Sequence, residues 1–299
     1  MTETTPNKSP EPLSKELFKD YLMLSKFRLS ISVVGTTMIA YYLGCYMTGM
    51  DFSWLKFFGL TLGGMLVVAA SNGFNQVYER DSDKLMSRTM KRPVADGRMS
   101  VNDALVFSFV CAALGLFVLA FLVNGRAAFL SLVSIFIYAL AYTPMKRKSP
   151  FAVFIGAIPG ALPPAIGWVA AVGNIDFIAI LLFIIQFFWQ FPHFWAIAWM
   201  LEDDYRKADY TLLPNYEGRT KRNAMQIVWY SVMLIVISIY PITIEFGSVY
   251  SLFVILPAGL YLLYRAIKLH RDLSIESARS LMFSTLIYMP AVLLSYLIH

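Results

Sequence analysis

The sequence predicts an all-α membrane protein whose transmembrane helices are arranged around a central cavity. Of its 299 residues, 58% are hydrophobic and only 15% are charged, which is more apolar surface than one soluble core could bury. Charged and Gly/Pro-rich breaks divide the chain into nine apolar runs, each about as long as the roughly 20 residues that span a bilayer core. Acidic clusters follow the second and the sixth run. Because four helices separate them, the clusters indicate two related halves around one cavity.

The predicted spans are joined by loops that alternate in character. We place the spans near residues 28–49, 53–78, 102–123, 126–143, 151–172, 177–200, 224–244, 249–268 and 280–298. Loops after the first, third, fifth and seventh spans are short and nearly uncharged, and the other loops are long and basic. Residues 1–22 are polar and contain no apolar signal-peptide core, so we interpret them as a cytoplasmic tail. Residues 23–299 then form a single transmembrane domain.

The basic residues predict the orientation of the spans. Of the 25 Lys and Arg residues, only Lys56 and Arg126 lie away from the N-terminal tail, the start of the first span and the long loops with their adjoining helix ends. The positive-inside rule therefore places the N-terminus in the cytoplasm and His299 outside. Attraction to anionic membrane lipids explains the net charge of +6. We expect no nucleic-acid partner.

An unusual polar face ends the second span. Asn75, Glu79 and Asp83 lie four residues apart, which places them on one side of a helix. Two carboxylates at this spacing repel each other, and more strongly where the dielectric is low, so we expect a cation to offset them. Ligands that are all oxygen atoms suit Mg²⁺, which commonly binds one or two carboxylates and completes its shell with water and phosphate oxygens. The sequence therefore predicts a magnesium site here.

Basic residues lie close to this face along the chain. Arg88 and Arg92 follow it directly, and Lys146 and Arg147 follow the fourth span on the same predicted side. Such side chains are donors for phosphate oxygens. A solvated helix end would be the simpler interpretation of the acidic residues. Ionisable groups at membrane depth are costly, however, and are usually functional.

Four blocks of the sequence resemble the UbiA superfamily of intramembrane prenyltransferases. The first block is NQVYERDSDKLMSRTMKRP, which carries the acidic face, and the second is YTPMKRKSPFAVFIGAIPGALPPAIGW. The others are FFWQFPHFWAIAWMLEDDYRKADYTLLP and ARSLMFSTLIYMP. The acidic motif is typical of the whole superfamily, whereas YTPMKRKSP and WQFPHF resemble its haem-farnesylating branch. The resemblance extends over nearly the whole chain.

This resemblance implies a reaction and its partners. The enzyme would use Mg²⁺ to transfer a farnesyl group from farnesyl diphosphate to a vinyl group of haem B, giving haem O. It would work among the lipids of a bacterial inner membrane, with a haem A synthase as a further partner. The same fold also carries the prenylation of aromatic acids and quinone precursors, which is the nearest alternative activity.

The resemblance also assigns site residues. The metal-binding and catalytic residues it implies are Asn75, Glu79, Asp83 and Asp204. The diphosphate-binding residues are Lys26, Arg28, Arg88, Arg92, Lys146 and Arg147. Two departures from the superfamily pattern stand out. Glu79 occupies a position that is more often Asp, and Ala208 stands four residues after Asp204 in place of a second carboxylate.

His193 is the candidate haem-binding residue. It lies in WQFPHF, where Pro192 predicts a break in the sixth span. A lone histidine within a membrane is ordinarily a packing residue with a satisfied hydrogen bond. In a chain that resembles a haem-farnesylating enzyme, axial ligation of the iron and contact with a propionate are two further interpretations.

A secondary transporter is the alternative from a different functional class. Transporters also combine duplicated halves, broken helices and charged residues near a cavity. Their binding sites lie near the bilayer midplane, however, whereas both acidic clusters here lie at predicted cytoplasmic helix ends beside Lys and Arg residues. This position suits a charged diphosphate that enters from the cytoplasm with its tail in the lipid.

Overall fold

The computed structural model describes residues 13–298, and all regular secondary structure in this part of the chain is helical. In chain order the α-helices are α1 (Leu13–Leu24), α2 (Phe27–Thr48), α3 (Trp54–Tyr78), α4 (Arg80–Asp83), α5 (Pro93–Asp96), α6 (Val101–Leu122), α7 (Gly125–Phe136), α8 (Thr143–Met145), α9 (Ala152–Val172), α10 (Phe177–Arg206), α11 (Lys221–Thr243), α12 (Leu252–Asp272) and α13 (Ile275–Ser295). A π-helical turn, Ile137–Tyr142, joins α7 to α8, and a 3₁₀ turn, Val249–Ser251, precedes α12.

Nine helices in residues 13–298 are long and apolar enough to cross a membrane. They are α2, α3, α6, α9, α10, α11 and α13, together with the composite helices Gly125–Met145 and Val249–Asp272. The protein is therefore a multi-pass membrane protein, and the predicted all-α class is confirmed. The predicted tail lies partly outside the described residues, as does His299. The described part of the tail belongs to α1, a helix that was not predicted from the sequence.

The sixth span differs from its prediction. Helix α10 continues to Arg206, beyond the predicted end at residue 200, and Pro192 lies inside it. The expectation that Pro192 breaks the span was wrong. A proline in a helix interior costs about 3 kcal/mol, but α10 packs against α9, α11 and α13. We attribute the continuous helix to this packing, which opposes the cost of the proline.

Contacts between the spans close into a ring. Each span packs against its neighbours along the chain, and α13 returns to pack against α2. Helix α9 is the most enclosed span, because 78% of its most apolar 18-residue stretch is buried, compared with 22% for α6. Helix α9 therefore packs against other helices over most of its surface, and α6 is much more exposed at the outside of the bundle.

The two ends of the bundle differ in charge. Lys56 Nζ donates to Ala170 O at 3.4 Å, and Arg126 Nη1 donates to Gly173 O at 2.6 Å. The two basic residues that were predicted to lie apart from the others therefore share the end of the molecule where α9 finishes. The acidic face at the end of α3 lies at the opposite end of the bundle, beside the basic loops.

Gly167 permits the close approach of α9 to α2. A Cβ atom at this position would overlap the carbonyl oxygen of Thr37 and would lie 2.9 Å from Tyr41 N. Both atoms belong to the backbone of α2, so no side-chain movement could relieve the contact. The absence of a side chain at Gly167 thus sets the distance between these two helices.

We expect Gly167→Ala to lower the free energy of unfolding by about 1–3 kcal/mol, because the added methyl group forces α2 and α9 apart. Thermal unfolding of the detergent-solubilised protein measures the effect. Gly35→Ala, on α2, is the matched control, because a Cβ atom there meets nothing within 4 Å. The control should be neutral or slightly stabilising. Equal melting temperatures for the two variants would contradict this interpretation.

Candidate active site

Glu79 forms a buried ion pair with Lys146 at the charged end of the bundle. Glu79 directly follows α3 and Lys146 directly follows α8. Lys146 Nζ lies 2.7 Å from Glu79 Oε1, and their side chains are only 10% and 4% exposed. This contact joins the ends of the second and fourth spans, which the sequence analysis placed on the same side of the membrane.

Asp83 forms a second buried ion pair with Arg92. Arg92 Nη1 donates to both carboxylate oxygens of Asp83, at 2.8 and 2.7 Å. The same nitrogen lies 3.6 Å from Glu79 Oε2. Arg92 therefore stands between the two carboxylates and offsets the repulsion that their four-residue spacing predicts.

The helix break after α3 preserves the predicted face. Helix α3 ends at Tyr78, and Glu79 separates it from the short helix α4. The amide of Glu79 donates to Asn75 O at 2.9 Å, and the amide of Asp83 donates to Glu79 O at 2.8 Å. These are helical hydrogen bonds, so the three side chains keep the register of a continuous helix. All three residues are at most 3% exposed.

Burial and charge act in opposite directions on these groups. Burial opposes the ionisation of Glu79, but the charges of Lys146, Lys26 and Arg92 outweigh it and hold the pKa of Glu79 below its usual value. Burial raises the pKa of Asp83, and Arg92 offsets only part of this shift. Burial, with the charges of Arg92 and Lys146, lowers the pKa of Lys26 well below its usual value. The site thus concentrates positive charge that an anion would stabilise.

Asn75 supplies an oxygen atom without a partner. Its Nδ2 donates to Thr143 Oγ1 at 3.2 Å, and its Oδ1 is buried and makes no hydrogen bond. Asn75 Oδ1 and the carboxylates of Glu79 and Asp83 form a set of possible metal ligands that are all oxygen atoms. Such a set fits a hard cation such as Mg²⁺, which also takes water and phosphate oxygens as ligands.

Asp204 binds a loop of the first acidic block. Its Oδ1 accepts from the amide and hydroxyl of Ser87 at 2.8 and 3.0 Å, and its Oδ2 accepts from the amide of Arg88 at 3.1 Å. Lys207 Nζ lies 2.9 Å from Oδ1. Among the described residues, no group of three His, Cys, Asp or Glu side chains is placed to hold a metal. A metal-binding role for Asp204 stays a prediction.

The other predicted diphosphate-binding residues lie at different depths. Arg147 Nη2 donates to Ser82 Oγ and is thereby held beside the acidic face. The side chain of Arg88 is exposed, and its charge is among those that act on Lys26. Arg28 is exposed on the first turn of α2. The structure thus brings Lys26, Arg92 and Lys146 together with the carboxylates and leaves Arg28 at the surface.

Aromatic and hydroxyl groups also belong to the site, and the sequence pattern did not predict them. The Tyr142 ring lies at the end of the π-helical turn, with Lys146 Nζ 4.5 Å from its centroid. Thr143 follows it and contacts Asn75. Both residues belong to the YTPMKRKSP block, so their neighbours in the sequence were recognised but their contacts were not. π-Helical turns are rare and occur frequently at functional sites.

His193 lies in the middle of α10 and contacts the last span. Its Nδ1 is 2.8 Å from Thr285 Oγ1, and its ring stacks on Trp189 with centroids 4.6 Å apart. Trp189 Nε1 donates to Thr285 O at 2.7 Å. These contacts fix the plane of the imidazole between α10 and α13.

Comparison with known proteins agrees with the class that the fold and the charged face define, an intramembrane prenyltransferase. The sequence pattern of the UbiA prenyltransferase family matches residues 33–287. The chain therefore belongs to the UbiA prenyltransferase family.

Similar sequences within this family are named protoheme IX farnesyltransferases. A protoheme IX farnesyltransferase of Cytophaga hutchinsonii is 38% identical over 94% of this chain and 97% of its own length. Another, of Flavobacterium psychrophilum, is 40% identical over 96% of each chain.

Solved structures support the fold. The structure of a digeranylgeranylglyceryl phosphate synthase matches with a TM-score of 0.76 and 20% identity, over 95% of this chain and 98% of the other. A UbiA homologue from Archaeoglobus fulgidus bound to DMAPP and Mg²⁺ matches with a TM-score of 0.65 and 18% identity, over 92% of this chain and 99% of the other.

We expect Glu79→Gln to lower the free energy of unfolding by about 3–5 kcal/mol, because it leaves the buried Lys146 without its partner. The double variant Glu79→Gln/Lys146→Met removes both charges and should recover most of this loss. Thermal unfolding in detergent compares the two variants with the unmodified protein. A double variant that is no more stable than Glu79→Gln would contradict a direct coupling between these residues.

Proposed function

We propose that this protein transfers the farnesyl group of farnesyl diphosphate to a vinyl group of haem B and so forms haem O. The observation that carries the proposal is the buried acidic face of Asn75, Glu79 and Asp83 set against Lys26, Arg92 and Lys146. This arrangement suits a diphosphate with its metal ion. The relatives named protoheme IX farnesyltransferase, 38% and 40% identical over nearly the whole chain, support haem B as the acceptor.

We propose that Asn75, Glu79 and Asp83 hold Mg²⁺, with Asp204 at the edge of the site. The UbiA homologue bound to DMAPP and Mg²⁺ supports a divalent metal in this family. Mg²⁺, when bound, would neutralise the negative charge that develops on the departing diphosphate.

The cations would bind the diphosphate itself. Lys26, Arg92 and Lys146 lie around the carboxylates, and Arg147 is held at their edge by Ser82. Their charges stabilise the anion as it leaves, which is the main requirement for breaking the bond between farnesyl C1 and oxygen. Exposed Arg28 and Arg88 would act earlier, by attracting the diphosphate to the mouth of the site.

The reaction places few demands on acid or base groups. As the bond between C1 and oxygen breaks, its electron pair leaves with the diphosphate, and the vinyl group of haem B supplies the electrons for the new carbon–carbon bond. Water then adds to the resulting cation and loses a proton, which gives the hydroxyethylfarnesyl side chain. The face of an aromatic ring attracts cations. We propose that Tyr142, whose ring lies beside Lys146, also contributes to stabilising the allylic cation.

We propose that His193 binds the haem iron. Thr285 Oγ1 donates to Met282 O at 2.6 Å, so its lone pairs face His193. Nδ1 of His193 must then carry the proton and donate it, which leaves the lone pair of Nε2 free for iron. A propionate would need a donor at that nitrogen, so this arrangement favours axial ligation.

The distance between the two sites is compatible with the substrates. Because α10 is unbroken between His193 and Asp204, the eleven-residue separation corresponds to about 16 Å along the helix axis. The first isoprene units and the width of the porphyrin can bridge this distance.

We propose that the protein lies in a bacterial inner membrane with its N-terminus and long loops in the cytoplasm and its C-terminus outside. The distribution of Lys and Arg supports this orientation. Farnesyl diphosphate would then enter from the cytoplasm with its tail in the lipid, and a haem A synthase would consume the product.

Mass spectrometry of the pigment tests the reaction directly. Membranes that contain the protein are incubated with haem B, farnesyl diphosphate and Mg²⁺. A mass increase equal to farnesyl plus water is expected. Prenylation of 4-hydroxybenzoate in its place would identify an aromatic-acid prenyltransferase, and the absence of any prenylated product would favour a transporter.

We expect Asp83→Ala to lower turnover by about 100-fold or more, because it removes a carboxylate from the metal and releases Arg92 from its partner. The rate of pigment formation measures the effect. Asp81→Ala is the matched control, since Asp81 lies in the same short helix but is exposed and pairs only with neighbours on the surface. Similar activity of the two variants would exclude Asp83 from the site.

We expect His193→Ala to weaken haem B retention and to shift the Soret band of the purified protein, while binding of farnesyl diphosphate is unchanged. Haem titration followed by absorbance, and calorimetric titration with farnesyl diphosphate, separate these effects. His270→Ala is the control, because His270 lies at the end of α12, where its Nδ1 is 3.1 Å from the backbone oxygen of Lys221 near the surface. A variant that binds haem normally but loses diphosphate binding would assign His193 to the diphosphate site.

A further inference from the structure

Two contacts, one helical turn apart, join α3 to the region around α8. Asn75 Nδ2 donates to Thr143 Oγ1, and one turn further along Lys146 binds Glu79. The π-helical turn Ile137–Tyr142 immediately precedes Thr143, and Lys146 follows three residues later, at the end of α8. Asn75 and Thr143 are each 1% exposed. Solvent is therefore excluded from the hydrogen bond between them.

The hydroxyl of Thr143 has a fixed direction. Thr143 Oγ1 lies 2.8 Å from Tyr138 O, inside the π-helical turn. Two oxygen atoms at this distance require a proton between them, and a carbonyl oxygen has none. The hydroxyl proton therefore points at Tyr138 O, and only lone pairs of Thr143 Oγ1 face Asn75.

This direction determines which end of the Asn75 amide faces Thr143. A lone pair can only accept, so Asn75 must present its NH₂ group, and the opposite orientation would bring two acceptors together. Asn75 Oδ1 is then turned away from Thr143, and it is buried without a hydrogen-bond partner. A buried carbonyl oxygen without a partner is unfavourable in a folded protein, because it has lost its hydrogen bonds to water. Binding a cation would remove this cost.

We infer that Thr143 is a positioning residue of the metal site. Its hydroxyl, oriented by Tyr138 O, holds the amide of Asn75 so that Oδ1 is available to a divalent cation. The inference rests on the proposed function only in requiring that the site binds a metal–diphosphate complex. The π-helical turn would thereby orient a metal ligand, because it supplies the carbonyl oxygen of Tyr138 that orients Thr143, and Thr143 in turn orients Asn75.

Binding of Mn²⁺ in the presence of farnesyl diphosphate, measured by electron paramagnetic resonance, tests the inference without turnover. Thr143→Val keeps the shape of the side chain and removes the hydroxyl, and we expect it to weaken Mn²⁺ binding about 10- to 100-fold. Thr143→Ser keeps the hydroxyl and should bind Mn²⁺ as the unmodified protein does. Thr143→Ala removes the same hydroxyl in a smaller side chain and decides the question if Thr143→Val does not fold.

A double variant separates positioning from general destabilisation. If Thr143 acts through Asn75, Asn75→Ala should weaken Mn²⁺ binding by a similar factor, and Asn75→Ala/Thr143→Val should be little worse than either single variant. The haem B spectrum, which we propose to depend on the distant His193, should not change. The inference would be overturned if the variants without the hydroxyl bound Mn²⁺ with unchanged affinity. It would also be overturned if the loss of affinity in the double variant equalled the product of the losses in the two single variants.

The proposed function can fail separately from this inference. If the unmodified protein binds Mn²⁺ with farnesyl diphosphate but does not modify haem B, the acceptor is wrong and the positioning role of Thr143 is still tested. If it farnesylates haem B while Thr143→Val binds Mn²⁺ normally, the reaction stands and the positioning role does not.

Discussion

Burial of the Glu79 and Asp83 carboxylates is the constraint on which the charged end of the molecule depends. A buried carboxylate without a partner would be neutralised or would destabilise the fold by several kcal/mol. Glu79 therefore requires Lys146, which directly follows the fourth span, and Asp83 requires Arg92 from the loop beyond α4. These two ion pairs bring the loop after α3 and the end of α8 to a common site.

The loops at this end are further joined by polar contacts between distant segments. Asp204 at the end of α10 binds the backbone at Ser87, and Arg147 donates to Ser82. Asp20 of α1 binds Arg98 at 3.0 Å. Each contact ends a helix or closes a loop, so the mouth of the site is built from the terminal residues of several spans. In the proposed reaction, the charged diphosphate would be held there while the apolar helices remain in lipid.

The proposed haem-binding region is held together by uncharged contacts and not by ion pairs. His193 is oriented by Thr285 and Trp189, and the polar contacts of these two α10 residues with Thr285 of α13 lie among aromatic side chains. Within the membrane such a contact is the alternative to an unsatisfied polar group in hydrocarbon. The two proposed sites therefore use different physical means. Ion pairs hold the site for the diphosphate, and a neutral hydrogen bond holds the histidine.

The sequence by itself determined the number and approximate limits of the spans, because a bilayer of fixed thickness imposes a length and a composition on every crossing helix. It also determined the acidic face, because the four-residue spacing of Asn75, Glu79 and Asp83 is a local property of a helix. Only the tertiary structure decided which residues complete this face. Thr143 lies 68 positions from Asn75, and Ser87 lies 117 positions from Asp204. No local pattern encodes such pairs, because they arise where the ends of separate helices meet.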